Sequence, residues 1–196
     1  MVENTFPDLL RLADNIKDQK LRKMVVDILK EPGESRSTEF RKYKAADFKL
    51  CPASLNFHHT TTGGLLEHTL ALTRMCIGIA DALEKTYKVK LDTDSFIAAS
   101  LVHDIGKLWT MKKVKAGWQE TGCMLDHTML GTAELYQRGF PEKVVHIVAS
   151  HFGENGPTPP QTIEALVLHV LDNLDAKLGT QQQAGQEELL KMLGLG

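Results

Sequence analysis

Cysteine is scarce in this chain, and the few present do not pair locally. Cys51, Cys76 and Cys123 are odd in number, and none is spaced C-x-x-C from another. That argues against a disulfide framework and for a reducing, cytoplasmic setting. Long apolar runs are missing as well; no stretch is long enough to span a bilayer, so no membrane partner is expected. The opening "MVENTFPDLLRLADN" carries acids early and lacks the basic-then-apolar order of an export signal. Net charge is small: 23 Lys and Arg against 25 Asp and Glu leave −2. Without a global basic field, any phosphate must be held by a local patch or a metal. Internal repeats and βαβ signals are absent too.

What remains is a chain of 196 residues, 42% hydrophobic, which suits one domain with a good core. Helical spacing dominates. Leu9, Leu12, Ile16, Leu21, Val25 and Ile28 predict a helix over Asp8 to Lys30, ending before "EPGES". A short helix is expected over Ser37 to Ala46, followed by an irregular segment to Gly64. Gly64 to Tyr87 and Asp92 to Asp104 read as helices. The second is apolar almost all round and should be buried. Lys107 to Thr121 reads as a hairpin turning at "KAGW". Helices are expected over Asp126 to Arg138, Pro141 to Phe152 and Thr162 to Leu178, with a Gln-rich tail of one or two further turns. The fold class is all-α, a helical bundle with one small β-hairpin. The division expected is an N-terminal helical extension over 1–46, a main domain over 47–180 and a tail over 181–196.

Several polar residues stand where apolar ones belong. His68 lies three residues after Leu65 and four before Leu72, on the apolar face of its helix. His103 and Asp104 end the buried helix, and Asp172 follows Leu168 by one turn. A buried carboxylate needs a cation or several donors. His127 begins a helix and His151 ends one. Each histidine alone has an ordinary reading, as core, surface or helix-dipole partner. Together, imidazoles and carboxylates recur at five successive helices, and that mix suits Mn, Fe, Co, Ni or Zn.

The order His68, His103-Asp104, His127, His151, Asp172, with the string "HDIGK", resembles the HD-domain superfamily of metal-dependent phosphohydrolases, in the version with two metal sites. The resemblance implies that His68, His103, Asp104 and Asp172 hold a first metal. Asp104 would bridge to a second held by His127 and His151. The stretches "FHHTTTGGLLEHTL", "LVHDIGK", "LDHTMLG" and "LHVLDNLDAKL" further resemble the HD half of bacterial 3′-to-5′ exoribonucleases. In those enzymes an OB-fold domain precedes the HD domain. Here the first 45 or so residues read as helices instead.

The implied chemistry is hydrolysis of phosphodiester bonds, at RNA 3′ ends or in short oligonucleotides, by a water activated between two divalent metals. Mn²⁺ or Fe²⁺ suits the mixed His/Asp set better than Zn²⁺; Co²⁺ and Ni²⁺ are also compatible. The catalytic candidates are Asp104 and Lys107, with Lys107 contacting phosphate or water. His59, Lys107 and Asp175 are substrate candidates, although Asp175 equally fits a helix salt bridge. His169 fits a partner behind a ligand or a core histidine. Lys112, Lys113 and Lys115 with Trp109 and Trp118 fit either a strand-tracking surface or an exposed hairpin whose lysines blunt its edge. The partners expected are a small phosphate-containing substrate or short single-stranded RNA. A nucleotidase acting on nucleoside monophosphates and a non-catalytic regulatory HD module are the alternatives.

Overall fold

A computed structural model describes residues 5–33 and 38–192. Helix α1 (Phe6–Leu12) opens on a capping box between Thr5 and Asp8, and α2 (Gln19–Lys30) follows. The single helix expected over Asp8 to Lys30 is therefore two. The break has a local and a long-range cause: the Asp18 side chain accepts from the backbone N–H of Lys20 and Leu21 and starts a new helix. Asp94 accepts from the N–H groups of Lys17 and Asp18, and Arg22 donates to the Ile16 carbonyl. Apolar spacing continues across the break, so it does not register in the hydrophobic pattern. The helix expected over Ser37 to Ala46 begins outside the described residues, and within them only a 3₁₀ turn, Phe40–Lys42, forms. The chain then extends and docks, with the Ala46 N–H donating to the Leu108 carbonyl.

Helix α3 (Gly64–Tyr87) has the bounds its spacing predicts. Helix α4 (Thr93–Val102) is capped by Asp92, and its residues from Ser95 to Val102 are all buried. It is the central rod, touching α2, α3 and, further along the chain, α7 and α8. After it the backbone makes successive tight turns, Lys107 N–H to Asp104 O and Leu108 N–H to Ile105 O, into a short helix α5 (Lys107–Thr110). The hairpin thus starts later than expected: β1 (Met111–Val114) pairs antiparallel with β2 (Gly117–Glu120), Met111 opposite Glu120. Trp109 is buried in α5 instead of lying on a strand, while Lys112, Lys113 and Lys115 are exposed.

Helix α6 (His127–Gln137) is capped by Asp126. Helix α7 (Glu142–Ala149) stops three residues before the expected Phe152, because the chain turns in at His151 and reverses through Gly153 at φ 62°. Helix α8 (Ile163–Met192) is the largest departure: the expected stop near Leu178 does not occur. Gly179 reads as a helix breaker, yet it sits in mid-helix for a packing reason, since a Cβ there would come 2.4 Å from Cε1 of His59. Among the described residues, no helix is long and apolar enough to cross a membrane.

Helices α3, α4, α6, α7 and α8 converge at one end of α4, around the string His103 to Lys107. Gly106 shows how tight that convergence is: a Cβ there would lie 1.8 Å from the backbone carbonyl oxygen of His127. Backbone cannot move aside as a flexible side chain would. Gly106→Ala is expected to force α5 and α6 apart and lower stability by about 1–3 kcal/mol, as overpacking does. Urea unfolding of the two proteins measures it, and equal midpoints would contradict the packing described.

Candidate metal centre

Three histidines at this convergence are each aimed by a nearby carbonyl or by one partner. His103 follows α4, and its Nδ1 donates to the Ser100 carbonyl at 2.9 Å. His151 follows α7, and its Nδ1 donates to the Val148 carbonyl at 2.7 Å. His68, in α3, donates from Nδ1 to Asp175 of α8 at 2.6 Å. A neutral imidazole with its proton on Nδ1 presents a lone pair at Nε2. In all three, Nε2 points to the same interior space.

Two groups of donors form there. In the first, His68 Nε2 lies 3.1 Å from His103 Nε2 and 3.1 Å from Asp172 Oδ1. In the second, His127 Nε2 lies 3.3 Å from His151 Nε2. Asp104 stands between them. Its Oδ2 is 3.5 Å from His68 Nε2 and 3.3 Å from His103 Nε2, and its Oδ1 is 3.1 Å from His127 Nε2. All six residues suggested by the sequence are thus brought together, with one carboxylate oxygen serving each group. His68, His103 and Asp172 satisfy metal-ligand spacing, as do Asp104, His127 and His151.

The electrostatics agree with a cation. Both Asp104 oxygens are sealed from solvent and have no hydrogen-bond donor among the described residues. Lys107 Nζ approaches Oδ2 at 2.6 Å as an ion pair without hydrogen-bond alignment. Burial alone would neutralise this carboxyl, but Lys107 and His103 hold it ionised well below the usual range. Burial also disfavours charge on His68, yet Asp104, Asp172 and Asp175 outweigh it and raise its pKa well above that of a free histidine. At His151 burial wins and the pKa falls to about 4, so that ring is neutral, as a ligand must be. Lone pairs 3.1 Å apart and an orphaned carboxylate are unfavourable on their own and favourable around a divalent ion, so the residues fit metal.

The second group opens on a cavity of about 570 Å³, lined among others by Lys107, His127, His58, Asn56, Glu120 and Phe152. The Phe152 ring stands edge-on to His127, with 4.9 Å between centroids. Of the substrate candidates, Lys107 lines this cavity. His59 and Asp175 do not. Asp175 is buried behind His68, and His59 packs beside it with Nε2 3.6 Å from Asp175 Oδ2. His58, which sequence reasoning passed over in favour of His59, is the histidine of that pair that lines the cavity. The pair itself was the signal, since two adjacent side chains rarely share one direction. His169 donates to the His151 carbonyl at 2.7 Å and so supports the turn that carries that histidine. His146 accepts from the Gln161 N–H and is structural.

Comparisons with known proteins match the stretch of chain that carries this centre. The chain is 41% identical over 172 residues to the dihydroneopterin 2′,3′-cyclic phosphate phosphodiesterase of Methanocaldococcus jannaschii, covering 87% of this chain and 68% of that protein. It is 31% identical over 169 residues to the 3′-5′ exoribonuclease YhaM of Bacillus subtilis, covering 80% of this chain and 52% of that enzyme. The chain therefore spans about two thirds of the first relative and about half of the second. No solved structure matches it. The HD-domain family matches residues 65–177, from the start of α3 through Asp172 in α8. With that match over more than half its length, and a His/Asp centre suited to divalent metal, the chain belongs to the HD-domain family of metal-dependent phosphohydrolases.

Proposed function

We propose that this chain is a two-metal phosphodiesterase acting on small, nucleotide-sized diesters, a nucleoside cyclic phosphate or the end of a short oligonucleotide. The observation that carries the reading is the pair of donor groups sharing Asp104 and opening beside Lys107 on a cavity of nucleotide dimensions. One ion would be held by His68, His103, Asp104 and Asp172, and a second by Asp104, His127 and His151, with Mn²⁺ or Fe²⁺ favoured. When bound, such ions neutralise phosphoryl oxygens and acidify a water for in-line attack. The protein's own part is to hold Asp104 ionised, keep His151 neutral, aim the histidine nitrogens at one space, and set the Lys107 ammonium against the phosphate.

The cavity also bears on substrate size. Among its described lining residues Lys107 is the only Lys or Arg, and Glu120 and Asp126 line it too. Long nucleic acid needs many phosphate contacts, and the hairpin lysines do not line the cavity. The name of the archaeal relative, a cyclic phosphate phosphodiesterase, supports the small-substrate reading. Three unpaired cysteines, two of them buried, support a reducing, cytoplasmic setting.

The direct test is to incubate the metal-loaded chain with a nucleoside 2′,3′-cyclic phosphate, a dinucleotide, an RNA of about twenty residues and a nucleoside monophosphate. The diesters are expected to be hydrolysed, the dinucleotide at least as efficiently as the long RNA. The monophosphate should persist. Processive degradation of the long RNA would overturn the size argument, and release of phosphate from the monophosphate would favour a nucleotidase. Inactivity on all four with metal bound would end the reading.

Metal counting tests the ligand assignment. Asp104→Ala is expected to lose both ions, whereas His127→Ala and His151→Ala keep the first; full occupancy in Asp104→Ala would refute the bridging role. Lys107→Ala should keep its metal and lose about 10²–10³ in turnover, the usual effect of removing one electrostatic contact to the reacting group. Unchanged turnover would leave Lys107 as a charge partner for Asp104 alone.

A further inference from the structure

The two histidines before α3 have no part in that scheme, and their arrangement is costly. His59 adopts φ 47°, a left-handed conformation that a non-glycine residue rarely takes. Its carbonyl accepts from the Ala53 N–H at 3.0 Å, and Gly64 leaves room for it, since a Cβ there would lie 1.9 Å from that oxygen. Gly179 makes the matching room for the ring. The effect of this backbone is to send the two neighbouring rings different ways. His59 turns inward beside Asp175, and His58 turns to the cavity, edge-on to His68 with 5.0 Å between centroids.

The rings meet through their Nδ1 atoms, 3.0 Å apart. One must donate and the other accept, because a neutral imidazole carries a single N–H. Asp175 Oδ2 lies 3.6 Å from Nε2 of His59 and favours the proton on that nitrogen. Nδ1 of His59 is then the acceptor, Nδ1 of His58 the donor, and Nε2 of His58 carries a lone pair. That nitrogen bonds no protein group among the described residues, and it is not among the polar atoms sealed from solvent. His58 is only 8% exposed and lines the cavity, which places its free nitrogen at that wall.

We propose that His58 is a substrate-contacting residue whose Nε2 accepts a hydrogen bond from a hydroxyl of the bound diester. The proposal rests on the phosphodiesterase reading above. A lone pair is repelled by phosphoryl oxygens, which offer no proton, so this contact reads the organic part of the substrate. Its ligand class is a phosphodiester bearing a free hydroxyl, such as a sugar diester.

Two amide substitutions separate this role from a purely structural one. Asn at position 58 can keep the bond to His59 but has no atom at the reach of Nε2; Gln keeps a polar atom there. The measurement is the ratio of kcat/KM for a ribodinucleotide to that for bis(4-nitrophenyl) phosphate, which has no hydroxyl, in metal-loaded proteins of equal metal content. His58→Asn is expected to lower the ratio about tenfold, the loss of one neutral hydrogen bond, and His58→Gln to restore most of it. An unchanged ratio in His58→Asn, or an equal fall in both variants, would overturn the contact. A second readout does not depend on turnover. In ¹⁵N NMR of the Zn²⁺-loaded chain, the His58 Nε2 signal is expected to move when a non-hydrolysable phosphorothioate ribodinucleotide is added. A signal that stays fixed while the analogue binds, or an analogue that fails to bind, refutes the proposal. A wild type that hydrolyses neither ester, yet shows the shift, refutes the phosphodiesterase reading and leaves the His58 contact standing.

Discussion

The structure turns on one buried carboxylate that no described residue hydrogen-bonds. Asp104 is sealed from solvent, its two oxygens face two groups of histidine nitrogens, and only the Lys107 ammonium approaches it closely. Such a group is tolerable only where positive charge is supplied. That requirement explains the architecture around it. Helix α4 is apolar almost all round because it must carry Asp104 and His103 to the middle of the bundle; α6 starts at His127, α7 ends just before His151, and α3 and α8 bring His68 and Asp172 from within their lengths.

The supports behind the centre are as specific as the centre. His103 and His151 use carbonyls three residues earlier in the chain, so their orientation is built into the helix ends they follow. His68 lies within a helix, where every nearby carbonyl is already bonded, and takes its partner from another element, Asp175. The outer partner fixes which nitrogen is free for metal. Asp175 also stands beside His59, which links the metal end of the site to the cavity end through His58.

Glycines mark where the chain packs most closely here. Gly106 lets α5 rest on the backbone of α6, Gly64 admits the His59 carbonyl, and Gly179 admits the His59 ring. The glycine in "HDIGK" is therefore explained by contact, not by turn geometry; it sets the distance from α6 of its neighbours in the string, His103, Asp104 and Lys107.

Much of this was legible in the amino-acid order. The bounds of α3, the buried character of α4 and the six ligand-type residues follow from periodicity and from polar groups at apolar positions, which are local properties of the chain. Three things were not. The break between α1 and α2 depends on Asp94, far along the chain, accepting from the N–H groups of Lys17 and Asp18. The continuation of α8 past Gly179 depends on His59 occupying the space a side chain would take. The choice between His58 and His59 depends on a left-handed backbone that Gly64 and Gly179 make room for. The sequence by itself determined which residues could hold metal, because residue chemistry and helical spacing are written in it. That Asp175 stands behind His68, and that His58 faces the cavity, only the tertiary structure decided, because those arrangements join residues more than 100 positions apart, His68 with Asp175 and His59 with Gly179, whose approach no local pattern records.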